Sequence, residues 1–205
     1  MRLDKVIVRA VLSTLAAIVL LFGFLLLALC FLYPSTMMTI TYDLGMDKAC
    51  VKYAMRAYNR SDEVYYAAYA TEVAIGADLD EKIEECGLAF IDNADFEEYC
   101  TARDERMQLP AAGLKGQYAQ YIYGQVSLAQ YRQGEVDGAI NTAFDALKEN
   151  SFPKNNAVEG LALTALMKKD SAAAKKIEEK MMRIESGLSG EDKTNFDALL
   201  LLLKK

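Results

Sequence analysis

The chain opens on an unbroken apolar run. Residues 10–33 are 24 positions without one charged side chain, from Ala10 to Tyr33. At about 1.5 Å per residue, such a run reaches roughly 36 Å as a helix, enough to cross a hydrocarbon core of about 30 Å with some tilt. Beyond Pro34 the pattern changes to apolar positions three and four apart: Cys50, Tyr53, Ala54, Ala57 and Tyr58 form one stripe, and Tyr66, Tyr69, Ala70 and Val73 the next. After a short helical or irregular piece at 36–44, closed by Gly45, the spacing predicts helices over 46–58, 62–75, 79–91, 95–108, 117–133, 136–149, 154–168, 171–184 and 191–205. Ser61, Asp78 (with Glu81 three residues on) and Asp95 (with Glu98) read as amino-terminal caps. The three prolines, Pro34, Pro110 and Pro153, fall where helices break, and the alternation that marks strands is missing. The expectation is an all-α protein: an N-terminal transmembrane helix followed by antiparallel helical hairpins.

The organisation that follows is a cytoplasmic tail at 1–9, a transmembrane helix at 10–33, membrane-proximal hairpins at 34–108, a joint at 109–116 containing Pro110, Gly113 and Gly116, and hairpins plus a C-terminal helix at 117–205. That last helix carries five consecutive leucines at 199–203, too short to cross a bilayer and too apolar for an exposed cap. They are expected to pack on the last hairpin, touch the membrane or dock a partner.

Charge sets the expected side. Arg2, Lys5 and Arg9, against Asp4, precede the span, while residues 34–45 hold Asp43 and neither Lys nor Arg. Basic flanks stay cytoplasmic, so the reading is a single-pass protein of the cell membrane, its N-terminus inside and its domain outside the cytoplasm. Two other readings of the run are a cleaved signal peptide, which has a shorter apolar core, and a lipoprotein signal at Cys30, where Leu29 is larger than that processing tolerates.

Removing the first 33 residues leaves 20 basic against 28 acidic side chains. So negative a surface repels phosphate backbones and anionic lipid heads, which argues against nucleic acid as a partner. No histidine or tryptophan occurs, which excludes Ser-His-Asp triads and His-ligated zinc, and neither GxGxxG nor GxxxxGK[ST] is present. The pairs Glu84-Glu85, Glu97-Glu98 and Glu178-Glu179 point in different directions on a helix and read as solvated faces rather than acid–base machinery. No enzymatic activity, cofactor, metal or small-molecule substrate is expected.

A period emerges from the small residues. Tyr123, Gly124, Ser127, Tyr131, Gly134, Ala139 and Ala146, with Pro153 after them, form the clearest unit, and 34 residues on from Ala139 lies Ala173. Residues 44–58 align on 76–90 at a shift of 32, with Ala57 and Ala89 as partial matches. Cys50 and Lys82 stand where the first alanine would be, and Lys180 replaces the second in the last hairpin. The pattern resembles the tetratricopeptide repeat, over most of 36–184, and implies a short α-solenoid whose first helices line a concave face for peptide segments or partner helices. The resemblance assigns that face Tyr121, Leu128, Tyr131 and Arg132 in the best unit, and Val64, Thr71 and Ile75 in the earlier one. The Lys/Asn/Arg set that grips a C-terminal carboxylate in some members has no counterpart, since Gly124 and Leu128 occupy those positions. An irregular helical bundle with small residues at close crossings is the other reading of the same spacing.

All twelve tyrosines lie between Tyr33 and Tyr131, concentrating amphipathic aromatic surface in the first part of the chain. Of the four cysteines, Cys30 lies in the span. With a turn centred on Asn93, Cys86 and Cys100 are each seven residues away and face each other across a hairpin, an arrangement open to a disulfide outside the cytoplasm; three buried thiols are the alternative. Taken together, these features favour a membrane-anchored protein-interaction or scaffold module in a secretion or envelope-associated assembly, with other proteins as partners. The alternative is a cytosol-facing tetratricopeptide-like receptor or adaptor on an organelle membrane.

Overall fold

Pro34 decides where the apolar run ends. Lacking an N–H and crowding the residue before it, a proline stops the preceding helix and suits the first turn of the next; accordingly Tyr33 leaves the helical region (φ −128°, ψ 64°) between α1, Arg2–Leu32, and α2, Pro34–Asp43. The computed structural model describes residues 2–109, 116–148, 150–184 and 187–204; among them there are eleven α-helices and no strands. The fold is all-α. Within α1, Ile7–Leu32 is 26 residues of mean hydropathy 3.1 with none of its most apolar stretch buried, long and apolar enough to cross a membrane or to serve as a signal sequence.

The chain divides into two compact units, Met1–Asp62 and Glu63–Lys205. In the first, α3, Asp47–Ser61, pairs with α2 and buries Cys50, Val51, Ala54 and Ala57, while α2 contributes Met37 and Met38. The second unit runs through α4 (Val64–Gly76), α5 (Asp80–Ile91), α6 (Phe96–Arg106), α7 (Gln117–Arg132), α8 (Val136–Asp145), α9 (Ala157–Met167), α10 (Ser171–Ile184) and α11 (Gly190–Leu203). Adjacent helices pack in sequence: α4 on α5, α5 on α7, α7 on both α8 and α9, α8 on α9, α9 on α10, and α11 on α9 and α10. The joint expected at 109–116 lies, for residues 110–115, outside the described residues.

Helix ends explain where the expected boundaries shift. Asp78 does not cap α5, which starts at Asp80 after an N-cap at Leu79 without a side-chain bond. Asp78 instead takes a left-handed conformation (φ 52°), its N–H reaching the Ile75 carbonyl while that of Leu79 reaches Ala74. This pair of bonds satisfies the last carbonyls of α4 as a Schellman closure. The same paired bonds close the helices before Gly134, Gln108 and Lys169. Ser61 ends α3 rather than starting α4, and Asp62 follows it in the left-handed region.

The leucine run resolves by helical geometry. Leu199, Leu200 and Leu203 are buried with Phe152, Leu161, Ile177, Met181 and Phe196 in one core cluster, whereas Leu201 and Leu202 are exposed. The C-terminal helix therefore completes the core of the last hairpins.

Candidate partner-binding groove

Helix α4 carries a single charge: Glu72 is the only charged side chain between Val64 and Gly76. A lone carboxylate in such a helix must find partners or water. It finds two. The Tyr118 hydroxyl donates to Glu72 Oε1 at 2.6 Å and Arg103 Nη2 lies 3.1 Å from the same oxygen. The Arg103 guanidinium also stacks over the Tyr118 ring, 5.6 Å from its centroid; its Nε is buried without an acceptor among the described residues. One residue on, Asp104 turns inward. It is 2% exposed and accepts the Tyr118 N–H at 2.9 Å and the Gln117 N–H at 3.1 Å, which satisfies the free amides at the start of α7 where the helix dipole favours a carboxylate. Helix α6 is thereby fixed to the first turn of α7.

Above this polar floor lies a groove of about 540 Å³ between α4, α6 and α7, walled by Ile75, Met107, Leu109, Tyr118 and Tyr121. Its size matches that of ligand and peptide clefts, and its lining is apolar around a few converging polar groups. Met107 is 47% exposed and Tyr121 46%. Aromatic contacts run from the core to the rim: Phe90 meets Phe96, Tyr99 and Tyr118, and Tyr118 meets Tyr121 at 6.5 Å between ring centroids. Burial raises the pKa of Tyr118, as does its bond to Glu72; burial and then the Glu72 charge do the same for Tyr99 and Tyr121. The three phenols stay neutral hydrogen-bonding groups at physiological pH.

The structure separates the residues that the repeat pattern placed on one face. Tyr121 lies on the groove rim. Leu128 is half-buried against the C-terminal core, and Tyr131 is inside that core, 7% exposed, with its hydroxyl donating to Asp170 at 2.9 Å and the Lys168 ammonium over its ring. Arg132 is drawn to the first turn of α5, where its Nε donates to Asp80 Oδ1 at 2.8 Å. These three hold helices together because α7 is a central helix, packed by α5, α8 and α9, so little of its circumference remains free. Of the earlier set, Thr71 is fully buried and its hydroxyl donates to the Ala67 carbonyl, while Ile75 lines the groove. Sequence reasoning missed Glu72, Arg103, Met107 and Tyr118; the isolated acid in α4 was the one available signal.

All four cysteines are free, and Cys86 and Cys100 are buried thiols whose pKa values burial pushes up to about 12. Of the two readings of Cys86 and Cys100, a disulfide or buried thiols, the structure has the thiols unbridged. Among the described residues no group of three His, Cys, Asp or Glu side chains is placed to hold a metal ion. In comparisons with known proteins, no family model, no curated protein and no solved structure matches the chain.

Proposed function

We propose that the chain is a non-enzymatic interaction module, tethered to a membrane by α1, whose second unit is a short tetratricopeptide-like stack offering the α4–α6–α7 groove to an apolar segment of another protein. The groove carries the reading: a cleft of about 540 Å³ with Met107 and Tyr121 exposed at its edge has the form of a peptide site rather than of packed interior. The stacked character is supported by close helix approaches at small residues. The Ser127 hydroxyl donates to the Ala139 carbonyl at 2.9 Å, Gly124 faces the Ala157 backbone, and a Cβ at Gly87 would collide with Val126.

Site-specific photocrosslinking in intact membranes tests this. A photoreactive residue in place of Tyr121 is expected to capture a discrete partner, a similar probe at exposed Glu191 to capture none, and Met107→Asp to abolish the Tyr121 adduct. Equal labelling from both positions would sink the proposal.

The charge of the N-terminal flank favours display outside the cytoplasm, in a secretion or envelope-associated assembly. A second reading, the module facing the cytosol, is favoured by two arginines, Arg56 and Arg60, beside the C-terminal end of α1. Because Cys50, Cys86 and Cys100 are buried, labelling native thiols would report poorly; protease protection of the C-terminal unit in sealed vesicles decides between the two.

A further inference from the structure

The end of α1 is held by two cations. Helix α3 folds back so that Arg60 donates from Nη1 to the Leu32 carbonyl and from Nη2 to the Phe31 carbonyl, both at 2.9 Å. The last carbonyls of a helix lack partners along the chain, and a positive charge there also meets the negative end of the dipole. One turn earlier, the Arg56 guanidinium sits between two rings, 5.6 Å from the centroids of both Phe31 and Tyr53, and the Tyr53 hydroxyl donates to Cys30 Sγ at 3.0 Å. Together with Cys30, Phe31 and Pro34, the arginines line a cavity of about 230 Å³. Both are exposed, and neither is ion-paired with a carboxylate among the described residues.

This geometry has a consequence for depth. If Ile7–Leu32 occupies the hydrocarbon, its last residues lie at the headgroup boundary, and whatever is fixed to the Phe31 and Leu32 carbonyls lies at the level of the lipid phosphates. Guanidinium groups match phosphate oxygens in both charge and fork geometry. We propose that Arg56 and Arg60 form a binding site for the phosphate of an anionic glycerophospholipid in the leaflet at the C-terminal end of α1. The proposal rests on α1 being a retained membrane anchor. Arg60 spends part of its donor set on the helix end and offers the remainder, while Arg56, which meets the Phe31 and Tyr53 rings, brings a second guanidinium to the same cavity. A zwitterionic choline lipid brings an ammonium beside the two arginines, and is therefore disfavoured relative to phosphatidylglycerol.

The test is selectivity for spin-labelled phosphatidylglycerol over spin-labelled phosphatidylcholine, measured by electron paramagnetic resonance on the full chain in phosphatidylcholine nanodiscs. About thirtyfold selectivity is expected when Arg56 and Arg60 are the basic pair being read, from two side chains at about 1 kcal/mol each. Arg56→Gln, which spares the Arg60 bonds to α1, should lose part of it, and Arg56→Gln with Arg60→Gln should bring it near unity. Arg2, Lys5 and Arg9 are neutralised in every sample, so that the basic flank at the other end does not select the same lipid in the opposite leaflet. Selectivity that survives the double variant, or that is absent from the start, overturns the site. Displacement of the lipid by millimolar inorganic phosphate beyond ionic-strength-matched chloride would assign the arginines to a soluble anion and also overturns it. Carbonate-resistant flotation of the same samples reads the anchor separately: failure to insert defeats the membrane reading, whereas insertion without selectivity defeats the lipid site alone.

Discussion

The second unit is held together differently at its two ends. From α4 to the start of α7 an apolar interior that includes Ala70, Ile83, Phe90 and Phe96 is joined by a polar network: Glu72, Arg103, Asp104 and Tyr118 bond one another or a helix end beneath an open groove. From α8 to α11 the interior is the drier one, an apolar cluster of Ala139, Ala143, Phe152, Val158, Leu161, Ile177, Met181, Phe196 and Leu199 with buried Thr142 and Asn156 at its margin. Charge divides the same way. Residues 63–109 contain 3 basic against 13 acidic side chains, and residues 110–205 contain 13 against 12. Apolar burial stabilises at low cost in specificity, while half-buried carboxylates and phenols must be matched one by one. The contrast teaches where to look for function: the end that keeps unevenly matched polar groups around an open cleft is the end shaped for something other than its own stability.

The largest break in that contrast comes from the dry end. Phe196 is fully buried and meets the Phe152 ring edge-on at 5.3 Å between centroids. Phe196→Ala should destabilise the unit by about 3–5 kcal/mol, from lost transfer free energy plus the cavity left behind. Tyr121→Ala on the groove rim should change stability by less than about 0.5 kcal/mol. Denaturant titration of both variants in the full chain checks the pair. Comparable losses would mean that the groove rim belongs to the core.

How legible this was depended on whether a feature is local. The apolar run, the breaks at Pro34 and the glycine-closed turn at Gly134 are local, and the helices follow them closely. The left-handed closures at Asp78, Gln108 and Lys169 were not legible, because three ordinary residues adopt a conformation usually given to glycine when the two returning hydrogen bonds outweigh its steric cost. The surroundings of α7 were not legible, for a non-local reason. The repeat resemblance put Leu128, Tyr131 and Arg132 on one side of a helix but could not say that the C-terminal core would take Leu128 and Tyr131, or that Asp80 of α5 would hold Arg132. Glu72 and Arg103 meet from 31 residues apart, a pairing no spacing rule supplies.

The polar end supplies a second, smaller test. Tyr118→Phe removes the bond to Glu72 while keeping the ring, and a cost of about 1 kcal/mol is expected, because Glu72 is partly solvated and retains Arg103. The pH profile makes the test specific. The folded state holds the Tyr118 phenol above its ordinary value by burial and by the neighbouring Glu72. Its contribution is fully present below about pH 10, the unfolded value, and is lost as pH rises toward the folded one. Cys86 and Cys100, pushed up to about 12 by burial, add an alkaline loss that begins near the free-thiol value of about 8.5. Thermal melts from neutral to alkaline pH should therefore fall along a curve that Tyr118→Phe flattens above about pH 10. A variant curve parallel to that of the unaltered chain would remove Tyr118 from the electrostatic account.

The smallest effect sharpens the comparison from the side of the dry end, where stability should still be open to improvement at its turns. Lys169 closes α9 with φ 57°, its N–H bonding to the Leu166 carbonyl and that of Asp170 to Ala165. A left-handed residue with a Cβ costs about 1–2 kcal/mol, and glycine avoids that cost while giving up some of the gain to its freer unfolded chain. The Lys169 side chain is exposed, so its loss removes no packing. Asp170, which follows, is the residue the turn has to place: its Oδ1 accepts the Ala173 N–H at 3.0 Å to open α10, and its Oδ2 accepts the Tyr131 hydroxyl. Those two bonds hold its carboxyl below the usual range, so its contribution is present above about pH 4 and is lost as pH falls through the folded value. Lys169→Gly should raise stability by about 0.5–1 kcal/mol at neutral pH and leave the acid limb set by Asp170 in place. A loss of stability instead would show that the lysine stem, rather than the backbone turn, supports the junction between α9 and α10.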